Sequence, residues 1–243
     1  MRRIILQGML IAFAIVTGYC MAAFAQQKAA PKNKPAEHWI KVYHDVIMGD
    51  QSNTTYGPFL QTGNGQVISL EHAARLQKEI ALVFFTEYGA NYATLTFPGN
   101  ATAAASYGTD DIATFTENPG GMNHWDQQNL NSGMITTAGN SSGDMSGADF
   151  NTVAASNDWN TFSKMFRQFN SGSSKLSYTN NYIHVEGNTV YMFQVNNAIR
   201  GFIYIKNLVP KSAKGGSIKF DLIIEGGDEF KNSDAKVLQP AKD

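Results

Sequence analysis

Ile80-Ala81-Leu82-Val83-Phe84-Phe85 is the stretch on which the fold turns. Apolar residues follow one another without a break, β-branched and aromatic ones among them, and no Pro or Gly interrupts. That composition predicts a strand buried on both faces. Immediately upstream, Gly49-Asp50-Gln51-Ser52-Asn53-Thr54-Thr55-Tyr56-Gly57-Pro58-Phe59 and Thr62-Gly63-Asn64-Gly65-Gln66-Val67 place Asn, Gly and Pro at short intervals, which is turn chemistry. Between them and the strand, Leu70 to Leu76 predicts a short helix, with Ser69 as its cap and Glu71 and His72 in its first turn. Downstream, Asn91-Tyr92-Ala93-Thr94-Leu95 supplies a neighbouring strand.

Further from this centre, Trp39 to Tyr43 with Val46-Ile47 predicts a first strand. The segment from Gly99 to Gly147 is rich in Gly, Asn, Thr and Ser and weak in periodicity. It predicts a long loop, with Ile112 to Phe115 as a short pairing segment inside it. Order returns at Ser146, where a short helix runs through Ala155. Ser156-Asn157-Asp158 offers caps for a second helix, in which Phe162, Met165, Phe166 and Phe169 form one apolar stripe while Lys164, Arg167 and Gln168 face away. Asn170-Ser171-Gly172 ends it. The last third predicts a meander. Tyr182 to Glu186 and Thr189 to Val195 flank Gly187-Asn188 as a hairpin, and Asn196-Asn197 turns into Ile199 to Lys206. Lys214-Gly215-Gly216 turns into Ser217 to Ile224, where Ile218, Phe220, Leu222 and Ile224 share one face. The expected architecture is a single α+β domain over residues 38–226. It has an antiparallel or mixed sheet of five to seven strands, two or three short helices on one side and a C-terminal β-meander. Residues 227–243 read as a polar tail.

The N-terminus reads as an address. Arg2 and Arg3 precede an apolar run from Ile4 to Val16, and Ala23-Phe24-Ala25 is a small-x-small cleavage site. This is the layout of a secretory signal peptide over residues 1–25, cleaved near Ala25, with residues 26–37 as a flexible leader. The apolar run falls short of the about 20 residues of a membrane span, and no later stretch is longer. Cys20 follows Tyr19, not the small residue that lipid attachment requires, so the expected mature chain is unlipidated. Its location is secreted, periplasmic or cell-surface. Because Cys20 is the only cysteine, that chain has no disulfide, thiolate nucleophile or cysteine zinc site. The 19 basic and 20 acidic residues become 17 against 20 once Arg2 and Arg3 are removed, which gives no electrostatic reason to expect nucleic acid as a partner. Charged residues make up only 16% of the chain, so Asn, Ser, Thr and Gly must cover much of its surface.

Several of these stretches also resemble a recurrent domain in uncharacterised secreted and lipoprotein sequences of Bacteroidota. The matching segments are Gly49 to Thr55, Thr62-Gly63 with Val67, Ile80 to Phe85 and Ala93-Thr94-Leu95, then Ala148-Asp149-Phe150, Gly201 to Ile205 and Gly216 to Leu222. The resemblance covers most of residues 44–226 and rests on structural motifs. It implies an exported accessory protein and no catalytic residues. A lipid-attachment cysteine, frequent in such sequences, has no good counterpart here.

Motifs for chemistry are sparse. His38, His44, His72, His124 and His184 show no metal-ligand spacing, and His184 alternates with Ile183 and Val185 as a solvent-facing strand residue. We expect no nucleophile elbow and no phosphate loop. No cofactor or metal is implied. Glu87, Asp110, Asp111, Glu117 and Asp126 offer carboxylates for a glycosidase-like pair, but a chain of this size always does. Asn140 to Asp144 with Asp149 offers oxygen ligands without the spacing of a calcium loop, and reads as a solvated loop. The candidate binding residues are aromatic: Trp125, flanked by His124 and Asp126, with Tyr88, Tyr92 and Tyr107. A flat ring beside amide and carboxylate groups suits a sugar face. The other reading has Trp125 plugging a satellite core beneath the loop. The expected function is therefore an exported non-enzymatic binding or accessory protein, with a glycan as the favoured ligand. The alternative is a structural component interacting with another cell-envelope protein, and a glycoside hydrolase comes third.

Overall fold

The computed structural model describes residues 38–108, 121–171, 175–177 and 180–226. The expected signal segment, leader and tail, and the pairing segment Ile112 to Phe115, lie outside the described residues. In chain order the elements are β1 (Trp39–Gly49), β2 (Phe59–Gln61), β3 (Val67–Ile68), α1 (Leu70–Arg75), β4 (Ile80–Thr86), β5 (Ala93–Thr96) and α2 (Ala101–Tyr107). Then come β6 (Gly133–Thr137), the small hairpin of β7 (Gly139–Asn140) and β8 (Gly143–Asp144), α3 (Gly147–Ser156) and α4 (Trp159–Phe169). The last third supplies β9 (Tyr182–His184), β10 (Val190–Val195), β11 (Ile199–Val209) and β12 (Ser217–Gly226). No helix among the described residues is long and apolar enough to cross a membrane.

The class is α+β with antiparallel pairing and a C-terminal meander, β10-β11-β12. The strands divide between two sheets of five, ordered β1-β12-β11-β10-β6 and β3-β2-β4-β5-β9. β4 occupies the middle of the second sheet, and all seven of its residues are buried. Its side chains alternate between two cores. Leu82 and Phe84 meet Phe193, Ile203, Phe220 and Leu222 of the first sheet, so the two sheets share one interior. Val83 and Phe85 point the other way and are covered by Ala73 and Ala74 of α1, Ala103 and Tyr107 of α2, and Trp125. On the far side of the first sheet, Phe150 and Val153 of α3 and Phe162, Phe166 and Phe169 of α4 pack on Met192, Phe202 and Ile223. Helices thus cover both outer faces rather than one side. An unbroken apolar run reports burial on two faces without saying what covers each.

Local chemistry sets the helix starts. Ser69 Oγ accepts from His72 N–H at 3.4 Å to open α1. Ser146 and Asp149 form a reciprocal box at the start of α3, with bonds of 3.1 and 3.0 Å. Asp158 accepts from Thr161 N–H at 2.8 Å to open α4. The α4 stripe then lies on Phe202, whose ring centroid is 5.4 Å from that of Phe162. Burying each such ring contributes about 1.5–3 kcal/mol. Arg200 stacks over Phe166 at 5.1 Å and pairs with Glu225, which also accepts from Trp159 Nε1 at 3.0 Å, tying the helix to the sheet.

Two expectations change. Gly187-Asn188 does not close a hairpin: β9 pairs with β5 in the second sheet and β10 with β6 and β11 in the first, so the turn carries the chain between sheets. Asn188 has φ 61°, so the dipeptide marks a left-handed residue but not which strands it joins. The tight hairpin is the next one, where Asn196 and Asn197 have φ 48° and 58° and Ala198 N–H bonds to Val195 C=O at 2.9 Å. The expected long loop over 99–147 contains α2 and the sheet strand β6. β6 opens with Gly133 because Phe97 crosses it closely; a Cβ there would lie 2.3 Å from the ring.

Candidate functional site

The site forms where β9 joins the edge of the second sheet. Pairing sets Thr94 opposite His184 and Thr96 opposite Tyr182, and the two-residue period puts Tyr182 and His184 on one face. That face is the outer one, shared with Val83 and Phe85. The β4–β5 connection, closed by Glu87 N–H to Tyr92 C=O at 2.9 Å, brings Tyr92 back beside the edge. Its ring centroid lies 4.6 Å from that of His184, and the Tyr182 ring lies 5.7 Å from His184 in an edge-on arrangement. His184 Nδ1 is 3.1 Å from Thr94 Oγ1 and 3.5 Å from Glu87 Oε1, and Thr94 Oγ1 is 3.2 Å from Glu87 Oε1. A consistent proton assignment has neutral His184 donating from Nδ1 to Thr94 and Thr94 donating to the carboxylate, which makes Nε2 an acceptor. Tyr92 and Tyr182 remain 54% and 45% exposed, and Tyr88, in the same connection, is fully exposed.

Beside Tyr182 the chain enters a cleft of about 450 Å³ lined by Phe97, Asn100, Ser132, Met134, Asn181 and Asn197 among others, none of its lining residues being ionisable. Asn181 C=O is fixed there by Thr96 Oγ1 at 2.8 Å and Asn100 Nδ2 at 3.2 Å. The patch therefore offers two aromatic faces, an imidazole, a carboxylate and an adjoining neutral polar cleft. It can stack a flat apolar surface and accept hydrogen bonds from hydroxyl groups.

The sequence-based candidates separate into three places. Tyr92 belongs to this patch, and Tyr88 is fully exposed in the same β4–β5 connection without a ring contact to it. Trp125 is not an exposed platform: it is 3% exposed and packs on Phe59 at 5.4 Å, because α2 and the helical turn at Met122–His124 close over the sheet at that point. Tyr107 is likewise core, its hydroxyl donating to Phe84 C=O at 2.5 Å, and burial pushes its phenol pKa well up. His124 and Asp126 are exposed on the helical turns beside the buried indole. Asp126 is taken by local structure, accepting from Gln128 N–H at 3.0 Å while its own N–H bonds to Gln77 Oε1 at 3.0 Å. The patch residues missed as ligand contacts are Tyr182, His184 and Glu87. The alternation Tyr182-Ile183-His184 carries the signal that two of them share a face, but their nearness to Tyr92 comes from a pairing some ninety residues apart in sequence.

Of the glycosidase carboxylates, Asp110, Asp111 and Glu117 lie outside the described residues. Gly139-Asn140-Ser141-Ser142-Gly143 does carry the letters of a nucleophile elbow, contrary to expectation. The structure places it on the β7–β8 hairpin, not on the strand-to-helix turn that such an elbow needs. Asp149, considered for a calcium loop, is engaged in the cap of α3. No protein-family model, curated protein or solved structure matches the chain.

Proposed function

We propose that this chain is an exported, non-enzymatic binding module that takes a glycan on the Tyr92–His184–Tyr182 patch. The observation that carries the reading is the pair of half-exposed tyrosine rings flanking an imidazole that is itself tethered through Thr94 to Glu87. Rings of this kind stack on the C–H face of a pyranose, and the carboxylate and imidazole accept from its hydroxyls. The neutral cleft beside Tyr182 adds support for an uncharged, hydroxyl-rich ligand. Export rests on the charged and apolar pattern of Arg2 to Ala25, and the resemblance to secreted Bacteroidota domains agrees with it.

The interaction-protein alternative has weaker support at the sheet edges. The longest edge strand, β1, breaks register between Tyr43 and Val46, where Asp45 takes φ 56°. A charged bulge of this kind blocks pairing with another strand. A glycan array probed with wild type, Tyr92→Ala and Tyr182→Ala tests the proposal. A wild-type signal that both variants lose supports it. No wild-type signal on any glycan, or a signal unchanged in both variants, sinks it.

A further inference from the structure

The rings along β9 lead into the neutral cleft. β5 and β9 run antiparallel, with Thr94 opposite His184 and Thr96 opposite Tyr182. The next residue on each strand, Phe97 and Asn181, lines the cleft. His184, Tyr182 and the cleft therefore follow one another along the strand pair, with His184 and Tyr182 about 7 Å apart at their Cα atoms. The cleft holds about 450 Å³, within the range of small-molecule sites. Its walls are fixed from within. Asn196 Nδ2 donates to Asn131 Oδ1 at 2.6 Å, and Asn196 Oδ1 accepts from Ser132 N–H at 2.9 Å. The Asn181 C=O is held by Thr96 and Asn100. Two polar groups on the wall are left over. The side-chain amide of Asn181 and the hydroxyl of Ser132 make no hydrogen bond among the described residues, and both residues are exposed. Gly99 keeps the space beside Ser132 open: a Cβ there would lie 2.7 Å from Ser132 Oγ. Phe97 and Met134 supply apolar surface.

We infer that the ligand is an uncharged linear oligosaccharide, stacked on Tyr92 and Tyr182 with one end seated in the cleft. This rests on the glycan reading and narrows it to chains that extend beyond the ring patch. A short sugar is satisfied by the rings, and only a longer one also reaches Asn181 and Ser132. Sugar hydroxyls both donate and accept, which matches an amide and a hydroxyl, and a pyranose C–H face suits Phe97 and Met134. Contacts at the two places reinforce each other, because binding at one holds the chain at high local concentration near the other. An acidic chain would meet the Glu87 carboxylate on the patch, and in the cleft its own carboxylates would lose water without gaining a counter-charge.

Titration calorimetry of the full chain compares cellobiose with cellohexaose, maltose with maltohexaose and xylobiose with xylohexaose, with hexagalacturonate as the acidic control. In at least one series the hexasaccharide should bind at least about tenfold tighter than the disaccharide, and hexagalacturonate should not bind. Asn181→Ala should remove most of that gain, leave disaccharide binding unchanged and melt with wild type. Should it melt lower, Ser132→Ala takes its place. Tyr182→Ala should weaken both lengths. A hexasaccharide bound no tighter than its disaccharide, or a gain that survives the cleft variant, overturns the extension into the cleft. Weakened binding by Tyr182→Ala would in that case still uphold the glycan patch. Hexagalacturonate bound as tightly as a neutral hexasaccharide overturns the uncharged class. No binding in any series overturns this inference and the glycan reading together.

Discussion

Two aromatic groups lie on the outer face of the second sheet, and they have opposite surroundings. One is Phe59 with Trp125 and Tyr107, dry beneath α2 and a helical turn. The other is Tyr182 and His184 with Tyr92, open at the edge. A single row across the sheet, Phe59–Val83–Thr96–Tyr182, connects them. At the usual strand spacing that row spans about 14 Å. The composition changes in step: apolar residues under the helices, a buried threonine in the middle and a ring with a hydroxyl at the rim. The ring type does not decide its role. Cover does, and cover comes from segments distant in sequence.

The sharpest way to break this contrast is to remove a ring on its dry side. Trp125→Ala should cost about 3–5 kcal/mol, since the hole lies in a closed core, and should leave the proposed glycan binding by the folded fraction intact. A variant that melts with wild type would show the indole to be uncovered after all. Next in size, Leu82→Ala should cost about 2–5 kcal/mol by hollowing the interior between the sheets, whereas His184→Ala should cost far less. Urea unfolding of both variants checks the ranking, and a reversed order would contradict the placement of β4 at the centre.

An uncovered patch on the first sheet sharpens the comparison, because it is filled with charge instead of rings. Asp221 faces outward on β12, between the bulges of β1 and β11. Burial alone would raise its carboxyl pKa, but Asp45 N–H at 2.8 Å, His44 Nδ1 at 3.0 Å and Lys206 Nζ at 3.1 Å outweigh that and hold it below the ordinary value. Lys206 and Lys219 likewise bring Asp45 down to about 2. A carboxyl whose pKa is lower in the folded state stabilises the fold above its unfolded value, and that contribution fades as pH falls through the folded value. The melting temperature should therefore drop between about pH 4 and pH 2. Asp221→Asn should show a shallower drop over that window, and an identical pH profile would deny this cluster any part in it. The smallest stability change belongs to the rim: Tyr92→Ala and Tyr182→Ala should each lie within about 1 kcal/mol of wild type by thermal melting. A larger loss would show that these rings serve packing.

Much of the fold was legible because it is written locally. Ile80 to Phe85, the α4 stripe, the caps at Ser69, Ser146 and Asp158 and the alternation of β12 each depend on neighbours a few residues away. The partition into two sheets was not, because Gly187-Asn188 looks the same whether it folds a strand back or sends it to another layer. β6 escaped notice because Gly133-Met134-Ile135-Thr136-Thr137 is short and opens on a glycine whose purpose is the nearby Phe97 ring. The candidate site was half legible. Exposed tyrosines at a turn, Tyr88 and Tyr92, stood out, and the reading of Trp125 as the plug of a satellite core holds, but the burial of Tyr107 depends on helical cover that periodicity did not reveal.

The pairing of β1 with β12 bears on how the chain reaches this state. The first strand of the described domain hydrogen-bonds to the last, and the His44–Asp221 contact closes a separation of 177 residues. Contacts of such high order make folding slow, in the range of milliseconds to seconds or longer for sheet-rich domains. The first sheet cannot be completed until β12 emerges from the ribosome, so a nascent chain lacking that strand leaves β1 and β11 without their shared partner. Such a chain keeps both strand edges unpaired until β12 has been made.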